Sequence, residues 1–93
     1  MSELVKSRRV DAQVAMAIRR GLDPDDWEHL VYLLLKGEPL PMEYCEHRLT
    51  DNWQGWWECH LAADLLVVYR HHPGKVVVVA VGTHAELFPH RKR

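Results

Sequence analysis

Cysteine is scarce in this 93-residue chain. Cys45 and Cys59 are the only two, too few for a disulfide framework. Long apolar runs are also missing. The longest aliphatic stretch, Val76 to Val81, falls far short of the ~20 residues that span a bilayer. The N-terminus has no apolar core of the signal-peptide kind. The expectation is therefore a cytoplasmic protein with no membrane association. Internal repeats and low-complexity segments are absent. The length leaves room for one domain, residues 1–93, with residues 89–93 as a flexible basic tail.

A large excess of one charge is lacking as well, since the net charge is -1. That balance hides segregation: residues 1–21 sum to +3, residues 22–46 to -6 and residues 47–93 to +2. A basic footprint for a polyanion can therefore only be local. Arg8, Arg9, Arg19 and Arg20 on one element and Arg91-Lys92-Arg93 at the end are the candidates. Histidine, by contrast, is abundant, with seven residues. It is the side chain whose ordinary pKa lies closest to neutrality, which suits it to proton transfer.

The hydrophobic period divides the chain. Leu4-Val5 is a short possible strand. Ser7 reads as the N-cap of a helix from Arg8 to Arg20, with Val10, Val14, Ala17 and Ile18 on one face. Gly21 ends it. Asp23 and Pro24 open a second helix whose face is Trp27, Leu30, Val31 and Leu34, and Gly37, Pro39 and Pro41 close it. The second half reads as strands: residues 44–50, Gly55 to Leu61, Leu65 to Tyr69 and Val76 to Val81. Turn signals stand at Asp51-Asn52 and at His72-Pro73-Gly74-Lys75, and Thr83 to Phe88 forms a short terminal segment. Short connections between strands impose antiparallel pairing. The predicted fold is α+β: an N-terminal strand and a helical hairpin packed on a small twisted antiparallel sheet, with the opposite face free for chemistry.

RNA can be cleaved without a metal when a base takes the ribose 2′-OH proton, an acid protonates the leaving 5′-oxygen, and a positive or hydrogen-bonding group steadies the phosphate. Glu58 and His60 share a strand face by parity, and Asp64 follows after a short bend. On its own this pattern is weak, because a histidine on a strand is more often structural.

The wording of the sequence adds more. His47-Arg48-Leu49, Gly55-Trp56-Trp57-Glu58-Cys59-His60-Leu61, Asp64, Val68-Tyr69 and Gly82-Thr83-His84-Ala85-Glu86-Leu87-Phe88, with Gly37-Glu38-Pro39-Leu40-Pro41 and Tyr44 upstream, closely resemble the YafQ-like branch of the RelE/ParE toxin superfamily. The resemblance implies a RelE-like, microbial-RNase-like fold and the toxin of a type II toxin–antitoxin pair. Such a toxin would cut messenger RNA in the ribosomal A site and need no metal or other cofactor. Its partners would be a cognate antitoxin, the ribosome and mRNA. It places the catalytic set on His47, His60, Asp64 and His84. His84 would be the general acid, and His60 or His47, helped by Asp64, would activate the 2′-hydroxyl. Arg48, Glu58, position 80 and Phe88 fall at substrate-contacting places.

Two departures bear on activity. Where the family commonly carries an arginine this chain has Ala80, and where it often carries a basic residue this chain has Trp57. Parity puts residue 80 on the face of residues 82 and 84. The expectation is an attenuated toxin, with Arg48 one candidate for a compensating cation. Two rivals stand beside it. One is a zinc site on Cys45, His47, Cys59 and His60, opposed by the opposite strand faces of Cys59 and His60. The other is a catalytically inactive chain that only binds an antitoxin.

Overall fold

The structure is a computed structural model that describes residues 2–89. All of the expected basic tail except Pro89 lies outside the described residues. The order is β1 (Glu3–Lys6), α1 (Val10–Arg19), α2 (Pro24–Lys36), β2 (His47–Arg48), β3 (Trp57–Ala62), β4 (Leu65–His72), β5 (Lys75–Gly82) and α3 (His84–Leu87). One-turn 3-10 segments stand at Met42–Tyr44 and Asp51–Trp53. The sheet order is β1-β5-β4-β3-β2.

The second helix follows its sequence signals. The Asp23 carboxylate accepts from the Asp25 N–H at 2.9 Å, Pro24 opens the first turn, and Gly37 closes the helix in the left-handed region at φ 74°. The first helix does not. It begins at Val10, and Ser7 does not cap it. The Ser7 hydroxyl instead donates to the Val79 carbonyl at 2.7 Å, and Arg9 Nε donates to the same oxygen at 3.2 Å. Gln13 Oε1 accepts from the Val81 N–H at 2.8 Å. The start of α1 thereby satisfies the edge of β5 beyond the end of β1, which would otherwise present unpaired groups.

The meander β2–β5 is antiparallel, as short connections require. β1 differs: it runs parallel to β5, so the sheet is mixed. A parallel partner needs a long connection, and here the helical hairpin and the whole meander separate the two strands. The strand expected over residues 44–50 shortens to His47–Arg48, because Met42–Tyr44 forms a helical turn and Cys45 adopts positive φ.

Val10 and Val14 of α1 and Leu30 and Leu34 of α2 bury one sheet face against Cys59, Val67, Tyr69, Val76, Val78 and Val81. The opposite face is not bare. Leu49, Leu66, Val68 and Phe88 form a second, smaller cluster, with Trp53, Trp56, Val79 and Leu87 packed on it.

A polar contact pins the segment before β2 to the main core. The buried Tyr69 hydroxyl donates to Glu46 Oε2, and Glu46 Oε1 accepts from the Leu40 N–H at 3.1 Å. Burial and this contact push the Tyr69 phenol well above its ordinary range. Removing the hydroxyl leaves a half-buried carboxylate short of a donor. Tyr69→Phe is expected to cost about 1–3 kcal/mol. Urea titration should show a lower midpoint at unchanged m-value; an unchanged midpoint would mean that the contact contributes nothing.

Candidate active site

Two bulges set the site face. In β4 and β5, Val68 pairs with Ala80 and Tyr69 with Val78, so Val79 is an extra residue. Alternation is broken there: Val76 and Val78 point under the helices, while Ala80 and Gly82 turn to the opposite face. A second irregularity lies between His60 and Ala62. Two adjacent rows result. His47 stands opposite Glu58, Glu58 opposite Val68 and Val68 opposite Ala80; His60 stands opposite Leu66, and Leu66 opposite Gly82.

His84 is delivered to the end of these rows by α3. Gly82 lets that helix fold back closely, since a Cβ there would meet Glu86 Oε1 and Leu87 Cδ2 at 3.1 Å. Thr83 and Glu86 form a reciprocal capping box. The Arg20 guanidinium reaches from the end of α1 to Glu86 Oε2 at 3.2 Å. The Thr83 N–H, and then Arg20, hold the Glu86 carboxyl below its ordinary range. Asp64 comes from the β3–β4 turn. Its Oδ1 lies 3.0 Å from His84 Nδ1 and accepts from the His84 backbone N–H at 3.3 Å. That fixes the ring and leaves Nε2 as the nitrogen that can exchange a proton.

The three histidines form a line. Ring centroids are 6.0 Å apart from His84 to His60 and 6.4 Å from His60 to His47. Glu58, only 3% exposed, lies behind the far end, with Oε1 3.2 Å from His47 Nε2 and 3.9 Å from His60 Nε2. His47 Nδ1 sits 2.8 Å from the Cys45 carbonyl, which can only accept, so that nitrogen carries a proton. Both His47 nitrogens are thus engaged.

Against the sequence reading, all four acid–base residues and Glu58 lie at one site, but the pairings differ. Asp64 is hydrogen-bonded to His84 through both the backbone N–H and Nδ1. Glu58 is the carboxylate of the other two histidines, and its burial makes it a support behind them rather than a substrate contact. Phe88 is 7% exposed and packs edge-on to Trp53 at 5.5 Å instead of lying open. Ala80 is on the expected face but buried at 1% exposure.

Arg48 does not compensate for Ala80. It pairs with Trp57 across β2 and β3, and its guanidinium lies 5.2 Å from that ring, on the other side of the sheet. It therefore places a cation beside position 57. The zinc reading fails on the same geometry: Cys59 is wholly buried in the main core, whereas His60 faces the site. Burial, and then Glu46 and Glu58, push its thiol far above the ordinary range.

Arg70 lies beyond the strand expected over Leu65 to Tyr69, because β4 runs on to His72. It lies on the site face, with its guanidinium 5.4 Å from the Trp56 ring. The signal that finds it is parity with Leu66 and Val68, carried past Tyr69.

A helical hairpin on one face of a mixed sheet, with histidines and carboxylates aligned on the other, defines the class as a small toxin of RelE-like fold. The chain belongs to the YafQ family of bacterial toxins of type II toxin–antitoxin systems, whose family model matches residues 2–89. It is 30% identical over 83 residues to the mRNA interferase toxin YafQ of Escherichia coli strain K12, covering 88% of this chain and 90% of that protein. A chain of the E. coli DinJ–YafQ complex is 28% identical with a TM-score of 0.84, over 95% of this chain and 99% of that one. A metal-bound toxin from Helicobacter pylori is 30% identical with a TM-score of 0.86, over 95% of this chain and 100% of that one. Among the described residues of this chain, no three His, Cys, Asp or Glu side chains are placed to hold an ion together.

Proposed function

We propose that this chain is an mRNA endoribonuclease that cuts ribosome-bound message by attack of the ribose 2′-OH, with histidine acid–base catalysis and no metal. The observation that carries this reading is the histidine line with separate carboxylates at its two ends. Asp64 orients His84 at one end and Glu58 backs His47 and His60 at the other. A phosphate seated along the line would have an acid on its leaving-group side and a base on its nucleophile side. His84 Nε2 protonates the 5′-oxygen. His60 takes the 2′-OH proton, because both nitrogens of His47 are already engaged. The E. coli relative is named an mRNA interferase, which supports the substrate class.

The charge-stabilising part of the site is weak. Position 80 stands in the Glu58–Val68 row and holds a buried methyl group where a cation would steady the phosphate. We read the chain as attenuated for that reason. The same observation favours the second reading, a toxin-fold protein that only engages an antitoxin. The DinJ–YafQ complex supports a cognate antitoxin as partner in either case.

The reading is tested by incubating the purified chain with mRNA, free or on programmed ribosomes. Slow cleavage confined to the ribosome-bound message is expected. Equal cleavage of free mRNA would overturn ribosome dependence, and no cleavage of either would favour the antitoxin-only reading.

A further inference from the structure

Resting on the reading that RNA is cut on this face, we infer that Trp56 and Arg70 hold the nucleotide on the 5′ side of the cut. Both lie on the site face, beyond the rows that carry the histidines. Arg70 follows Leu66 and Val68 by strand alternation, and Val68 stands opposite Glu58. Arg70 is therefore one row past Glu58, about 7 Å further along the strand, on the side away from His84.

The chemistry of the pair is that of a single-stranded RNA contact. The Arg70 guanidinium lies over the Trp56 ring, 5.4 Å from its centroid, and both residues are partly buried. Trp53 packs edge-to-face with Trp56 at 6.4 Å and with Phe88 at 5.5 Å, which ties the Trp56 ring to the second cluster. Among the described residues Arg70 is in no ion pair, whereas Arg20, Lys6 and Lys36 each have an acidic partner. Arg48 belongs to the other face, and Arg9 is bound to a backbone carbonyl. An aromatic ring next to a guanidinium without a carboxylate partner offers one stacking surface for an unpaired base and one cation for its phosphate.

The direction follows from the catalytic assignment. With His84 at the leaving 5′-oxygen, the ribose carrying the 2′-OH lies towards His60 and Glu58. The strand then continues in its 5′ direction across the Glu58 row to Arg70. A purely structural alternative is that the Arg70 stem shields Trp56 from water.

The test is a titration of the ¹⁵N-labelled full chain with a 2′-O-methyl RNA tetranucleotide, which cannot be cut. The expected result is movement of the Trp56 indole and Arg70 Nε–H signals together with amides around His60 and His84. Arg70→Gln should reduce the slope of log affinity against log salt by about 0.7, the value of one single-strand phosphate contact, and Arg70→Lys should retain it. Trp56→Leu should weaken binding at least about fivefold with an unchanged slope. Movement around His60 and His84 with Trp56 and Arg70 unmoved would overturn this inference alone, as would a salt slope that Arg70→Gln leaves unchanged. No movement at any of these positions would also overturn this inference, whereas the ribosome-dependent reading stands or falls on the cleavage assay with programmed ribosomes.

Discussion

His84→Gln is expected to lower the rate of mRNA cleavage on programmed ribosomes about 10²–10⁴-fold, the usual contribution of a positioned acid. His84 is the histidine whose geometry is most fully determined. The capping box fixes its backbone, Asp64 holds both its N–H and its Nδ1, and Nε2 is left to act. Glutamine is close in size, its amide falls where Nε2 stood, and the backbone N–H of residue 84 still donates to Asp64, so the fold should survive while proton donation is lost. The loss should fall on kcat, because the interaction is made as the 5′-oxygen leaves. Cleavage at the parent rate by a folded His84→Gln protein would remove His84 from the acid role.

Ala80→Arg is expected to raise cleavage by about 10²–10³-fold, the size of one electrostatic contact to the developing charge. Residue 80 is aligned with Val68, Glu58 and His47 on the site face. Residue 80 is 1% exposed, so an arginine there must push aside the side chains that cover it before its head reaches the surface. Ala80→Met controls for bulk: it adds volume but no charge, so it should give no gain and some loss of stability. A folded arginine variant no faster than the parent would show that the missing cation is not what limits this chain. Cleavage by neither form would favour the antitoxin-only reading.

What could be read from the sequence depended on how local the determinant was. The second helix was legible because Asp23, Pro24 and Gly37 act within a turn of their own positions. The start of the first was not, because the Ser7 hydroxyl is used 72 residues away at Val79. The parallel pairing of β1 with β5 is equally remote.

Within the site, parity correctly joined Glu58 to His60 and residue 80 to residue 82. It could not reveal the extra residue at Val79, because a run of valines has no alternation from which an insertion can be detected. The contact of Asp64 with His84 is hidden from the sequence for a related reason. Asp64 lies four residues from His60 in the chain, but the β3–β4 turn carries it to the start of α3. The outward-facing Arg70 was hidden because the apolar signal ends at Tyr69 while the strand runs on to His72.

The central claim is that the 2′-OH attacks the phosphate between two histidines. The chemical ends of the RNA fragments test it most directly. Cleavage of ribosome-bound mRNA should leave a 2′,3′-cyclic phosphate, or the monophosphate formed by its opening, on one fragment and a 5′-hydroxyl on the other. Fragments ending in a 3′-hydroxyl and a 5′-phosphate would mean that water attacked from the other side, and would contradict the account.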